Sequence, residues 1–127
     1  LTKLEDLHLT GNQLTNVSPL AGLTKLKTLI LSGNNQLTDV SPLAGLVQLK
    51  KLYLSHNQLT DVSPLGKLTQ LENLYLTGNQ LTDLSILAEL TNLKGLYLAD
   101  NPNLTKAQID KLQKALPKCK ISSNPTK

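Results

Sequence analysis

Few side chains here could do chemistry: three tyrosines, two histidines, one cysteine, and sets of Ser, Asp and Asn that keep returning. The tyrosines are the most ordered. Tyr53, Tyr75 and Tyr97 stand 22 residues apart. Tyrosine offers a large amphipathic contact at low entropic cost and is enriched in interface hot spots, so the spacing points to recognition. Catalysis finds little support. Ser18, Ser41 and Ser63 recur in one position of a pattern, and Asp39, Asp61 and Asp83 recur beside them, so neither set supplies a single nucleophile or acid. His8 and His56 occupy different positions of that pattern. No His, Cys and Asp have metal-ligand spacing. Gly11, Gly33 and Gly78 precede an Asn turn and do not form a phosphate-cradling loop after a strand. Cys119 has no second cysteine to pair with and reads as a small core residue. An enzyme, a metal site and a cofactor are therefore not expected.

The elements that position the tyrosines come from one unit used five times. Leu49 to Leu59 reads L-x-x-L-x-L-x-x-N-x-L, and versions of it run from Leu4 to Leu14, Leu26 to Leu37, Leu71 to Leu81 and Leu93 to Leu104. Leu7 and Leu9 alternate with polar neighbours, as do Leu29/Leu31, Leu52/Leu54, Leu74/Leu76 and Leu96/Leu98, which is the period of a half-buried strand. Asn12, Asn34, Asn57, Asn79 and Asn101 follow each strand. An amide that both donates and accepts suits an internal ladder joining successive turns. Ser-Pro-Leu then recurs at 18–20, 41–43 and 63–65, with Ser-Ile-Leu at 85–87. Ser as N-cap and Pro at the first helical position predict short 3-10 turns. Val17, Val40, Val62 and Leu84 should complete the core with the Leu of each turn. Units two and five carry one extra residue after the Asn, which predicts small bulges.

The fifth unit changes character. Thr105-Lys106-Ala107-Gln108 is a capping-box pattern. Ile109, Leu112, Ala115 and Leu116 recur at helical spacing, and Pro117 ends the run. Lys118 to Ile121 alternates again and predicts an edge strand. The expected organisation is residues 1–104 as repeats, the first uncapped, and 105–127 as a covering helix, strand and tail.

The net charge of +4 is divided unevenly: residues 1–105 carry seven Lys and eight acids, residues 106–127 six Lys and one Asp. There is no Arg, which argues against nucleic acid, where its planar fork is favoured. No apolar run approaches the ~20 residues of a membrane span. The chain has no Met and starts in mid-pattern, so it reads as a trimmed or excised piece with an open strand edge through which it could self-associate.

The unit L-x-x-L-x-L-x-x-N-x-L-T-D-V-S-P-L-A-G-L-T resembles leucine-rich repeats, and at 22 residues it looks most like the bacterial internalin-type and SDS22-like classes. The resemblance implies an α/β right-handed solenoid, with a parallel sheet on the concave face and 3-10 turns on the convex face. Internalins are bacterial surface or secreted proteins that bind host-cell proteins; SDS22-like proteins are intracellular phosphatase partners. Within the repeat, function should lie in the outward positions that vary. One column reads His8, Ile30, Tyr53, Tyr75, Tyr97; around it stand Lys51, Asn73, Glu72 and His56. The expectation is a non-catalytic module binding a protein or peptide there. The alternatives are a structural spacer, a self-associating piece of a longer array, or a scaffold for a catalytic domain outside this chain.

Overall fold

In a computed structural model that describes residues 3–125, one sheet carries the whole molecule. Leu1, the first residue of the opening unit, and Thr126–Lys127 of the tail lie outside the described residues. The strands are β1 (Asp6–His8), β2 (Thr28–Ile30), β3 (Lys51–Tyr53), β4 (Asn73–Tyr75), β5 (Gly95–Tyr97) and β6 (Lys120–Ser122). They lie in chain order and every neighbouring pair is parallel. Parallel neighbours require a crossover between them. Here the first four crossovers are the 3-10 turns η1 (Ser18–Leu20), η2 (Ser41–Gly45), η3 (Ser63–Lys67) and η4 (Ser85–Glu89), and the fifth is a helix, α1 (Lys106–Ala115). This is the repeat solenoid that the five-fold pattern implies.

The register has no slip, and it sets which residues become neighbours. Asp6, Thr28, Lys51, Asn73, Gly95 and Lys120 form one row across the strands; His8, Ile30, Tyr53, Tyr75, Tyr97 and Ser122 form another. Between these rows, Leu29, Leu52, Leu74 and Leu96 point the other way and are fully buried. Val40, Val62, Leu43, Leu65 and Leu87 close the core from the turn side. Burying each leucine contributes about 1.5–3 kcal/mol, and an aliphatic core of one residue type packs because each unit presents the same shape to the next.

The start of each 3-10 turn differs from the sequence expectation. Pro does sit at the first helical positions of η1, η2 and η3, but the serine hydroxyl is not the cap. The serine N–H instead donates to a side chain two residues earlier: Asn16 Oδ1 and Asp39 Oδ1 at 2.9 Å, Asp61 Oδ1 at 2.8 Å, Asp83 Oδ1 at 2.9 Å. A carboxylate or amide one residue before the cap reaches the first free N–H better than the serine's own short side chain, and a charge-assisted bond is stronger. These bonds hold the Asp39 and Asp83 carboxyls below the usual carboxylate range. The recurring aspartates are therefore turn anchors.

After β5 the chain forms α1 (Lys106–Ala115). Its capping box is formed: Gln108 N–H donates to Thr105 Oγ1 at 3.2 Å, and Thr105 N–H donates to Gln108 Oε1 at 2.9 Å. Gln108 Nε2 also donates to Thr82 O at 2.8 Å, tying the helix to the preceding coil. Ile109, Leu112 and Leu116 are buried, but Ala115 is exposed, because it lines an open groove between the helix and η4. Beyond it Cys119 is buried and β6 pairs with β5, Leu98 N–H donating to Ser122 O at 2.7 Å. Burial pushes the Cys119 thiol up, away from thiolate character.

Candidate functional site

The open face of the sheet is built from the outward residues of β1 to β6. At Tyr53, Tyr75 and Tyr97 the register alone brings three phenols side by side. Their ring centroids are 4.1 and 4.4 Å apart, with planes inclined by 6° and 2°. Strands are about 4.8 Å apart, so the rings lean together until their faces touch. The middle ring is covered on both faces. Burial first, then the neighbouring Tyr53 and Tyr97 phenols, push the Tyr75 hydroxyl up to about 12. It stays a neutral donor across the physiological range.

Gly95 explains where the stack leans. A Cβ at Gly95 would lie 3.1 Å from Tyr97 Oη and 2.9 Å from Asn73 Oδ1. The Tyr97 hydroxyl therefore fills the space a side chain would take in the row of Lys51 and Asn73. Gly95 thus lies against the stack, in the row of Lys51 and Asn73. The sequence signal was there: it is the one glycine in a column of larger residues.

The other expected residues fall into three groups. Ile30 and His8 continue the tyrosine row across β2 and β1, Ile30 half-buried and His8 exposed. Lys51 and Asn73 flank the phenols in the adjoining row. Glu72 lies one residue further back, its Oε1 3.6 Å from Lys94 Nζ, just as Glu5 pairs with Lys27 at 3.6 Å. Lys50 and Lys51 have no ion pair among the described residues. β6 adds Lys120 to the row of Lys51, a neighbour that the repeat pattern did not predict.

His56 stands apart from the tyrosine row. Its backbone has φ of 59°, in the left-handed region that Gly11, Gly33 and Gly78 occupy in other units. Its imidazole lies over Gly78, where a Cβ would come within 2.5 Å of Nδ1. His56 and His8 are not brought together. Among the described residues, no cluster of His, Cys, Asp or Glu could hold a metal ion.

The asparagines that follow the strands lie behind this face. Asn79 Nδ2 donates to Leu54 O and Leu76 O at 3.0 Å, and its Oδ1 accepts from Leu59 N–H at 3.0 Å. Asn101 and Asn34 bond in the same way to their own neighbours. Asn12, in the first coil, is exposed and reaches only Thr10 O, at 3.2 Å. Asn57 is the exception. Its Nδ2 donates to Leu31 O and Leu54 O, but its buried Oδ1 has no partner. The extra residue of unit two is the cause: Asn35 N–H donates to His56 O at 3.2 Å, and the turn no longer presents a donor to Asn57.

A groove of about 270 Å³ runs between η4 and α1, lined by Leu84, Ala88, Leu112 and Ala115. It lies on the turn side of the molecule, away from the tyrosines, and its polar Gln108 already serves Thr82.

A family model for leucine-rich repeats in two copies matches residues 2–45, 47–89 and 69–118. The chain belongs to the leucine-rich-repeat family. Solved structures that it resembles include bacterial internalins. An internalin C2 from Listeria monocytogenes superposes with a TM-score of 0.88 at 41% identity, over 100% of this chain and 56% of that one. A Listeria monocytogenes internalin F gives 0.86 at 34%, over 97% and 35%. A leucine-rich-repeat protein from Leptospira interrogans gives 0.69 at 28%, over 95% and 37%. This leucine-rich-repeat chain thus spans about half or less of the solved proteins it resembles. No curated protein matches it significantly. Leucine-rich repeats are in general protein-interaction modules, and no helix among the described residues is long and apolar enough to cross a membrane.

Proposed function

We propose that this leucine-rich-repeat protein is a non-catalytic recognition module that holds a protein or peptide partner against the open face of its sheet. Tyr53, Tyr75 and Tyr97 are the anchors, and Ile30, His8, Lys51, Asn73, Glu72 and His56 surround them. The observation that carries this reading is the continuous three-ring stack on a face that no other described element covers. The core leucines hold the sheet together from its other side, and His8 and Ile30 take the same row in β1 and β2, so the repeat itself does not require aromatic rings there. Residues 105–125 fit the role of a cover for the last coil, with Lys106, Lys111, Lys114, Lys118 and Lys120 exposed. The absence of a converging nucleophile, base and acid on this face supports binding without chemistry.

The test is to pan a displayed library of random linear peptides against the chain and against a version with all three tyrosines changed to Ala. Binders should depend on the tyrosines, and Tyr75→Ala should weaken them by about 2 kcal/mol or more, as hot-spot truncations do. Its melting transition should stay close to the parent's. Binders indifferent to the triple change would remove the reading.

A further inference from the structure

The stack hides one kind of aromatic surface and presents another. A ring's face is negative and its edge positive. With centroids at 4.1 and 4.4 Å and nearly parallel planes, the facing surfaces of Tyr53, Tyr75 and Tyr97 cover one another. A cation needs an open face to bind, and so does a stacking base. What remains toward the partner is a strip of C–H edges and phenol O–H donors.

On the Lys51 side of that strip, the charges that have no partner among the described residues are positive. In the row that the phenols lean over, Lys51 and Lys120 stand at the two ends, with Asn73 and Gly95 between them. Behind that row come Lys50, Glu72 and Lys94, and the one carboxylate, Glu72, is engaged by Lys94. Lys50, Lys51 and Lys120 have no carboxylate within ion-pair distance among the described residues. On the opposite flank Ser55, Thr77 and Ala99 are neutral, and the one carboxylate beyond them, Asp100, accepts from Asn124 Nδ2 at 3.0 Å. Positive ring edges, hydroxyl donors and unpaired ammonium groups all favour negative charge on the partner.

Building on the recognition reading above, we infer that the partner of the tyrosine strip is an acidic polypeptide segment, whose Asp and Glu carboxylates meet Lys50, Lys51 and Lys120 while its chain lies along the phenol edges. A polypeptide fits better than a nucleic acid because four of the six ring faces that bases would stack on are already taken, and the chain has no Arg to grip phosphates.

The test uses the whole chain and three displayed peptide libraries with a shared apolar content, biased respectively to Asp/Glu, to Lys/Arg and to Ser/Thr/Asn. The acidic library should enrich on the parent and lose that enrichment on the triple Tyr→Ala chain. A Lys50→Glu, Lys51→Glu double variant should bind the selected acidic peptides roughly 10-fold or more weakly, and added salt should weaken the parent's binding. Both lysines are exposed, and a matching melt for the double variant, with Lys50→Ser, Lys51→Ser as a second version, separates charge from folding. Tyrosine-dependent enrichment of the neutral or basic library would overturn the acidic assignment and leave recognition standing. Acidic enrichment that ignores the tyrosines, or none from any library, would overturn both. Tyrosine-dependent binding of labelled oligothymidylate or heparin as tight as that of the selected peptides would overturn the polypeptide assignment.

Discussion

The two ends of the sheet obey one sequence pattern and yet differ. At β3 to β5 every strand leucine is buried and the outward row is three stacked rings. At β1 the equivalent leucines, Leu4, Leu7, Leu9 and Leu14, are only partly buried, and the outward row holds His8. The difference teaches that burial in a solenoid is a property of neighbours. A coil with another on each side dries its leucines; a coil with one neighbour does not. It also separates what the repeat needs from what it carries, because His8 and Ile30 complete the sheet as well as the tyrosines do.

The largest way to test that contrast is in the core. Leu74→Ala should cost about 2–5 kcal/mol in denaturant unfolding, as buried leucine truncations do, while Leu7→Ala should cost less than about 2 kcal/mol. Equal losses would mean that the first coil is as well packed as the fourth.

Next come the asparagines. When Asn79 is changed to Ala, Leu54 O and Leu76 O keep a second donor from Asn57 and Asn101, but Leu59 N–H loses its acceptor. When Asn57 is changed to Ala, Leu31 O and Leu54 O keep Asn34 and Asn79, and no N–H is orphaned. A buried orphan costs about 1–3 kcal/mol, so Asn79→Ala should be more destabilising than Asn57→Ala by that amount in paired melts.

A smaller effect should appear at Gly95. An added Cβ displaces the ends of Tyr97 and Asn73, which can swing away, so Gly95→Ala should change stability by less than about 1 kcal/mol while weakening a tyrosine-dependent peptide several-fold. The subtlest is titration. Ultraviolet absorbance should show one phenol ionising near 12, and Tyr75→Phe should remove that late step. Because the folded value lies above the unfolded one, the associated stabilisation is complete below pH 10 and fades as pH rises toward 12.

The spacing of Leu52 and Leu54, repeated at one interval, was enough to read the strands and the tyrosine row, while the parallel order of the strands came from the resemblance to leucine-rich repeats. A fixed interval leaves one register, so Tyr53, Tyr75 and Tyr97 had to align. Local geometry was harder to read. The serine caps were misassigned because Ser41 and Asp39 both carry an acceptor, and only the turn's backbone decides which reaches the N–H. Ala115 was placed inward on helical period alone, which cannot see that the helix and η4 leave an open groove there. The unpartnered Asn57 Oδ1 follows from one inserted residue, Asn35, acting on the next coil across space, and no pattern within a unit contains that. Lys120 was missed for a related reason: it joins the site only through β6, which lies outside the repeat.

The central claim is that the phenols of β3 to β5, and not the sheet face as such, make the contact. The most direct measurement is the affinity of one selected peptide for the parent, Tyr75→Ala and His8→Ala chains at equal fold stability. The account predicts a loss of roughly 30-fold or more at Tyr75 and less than about threefold at His8. Equal losses, or a larger one at His8, would contradict it.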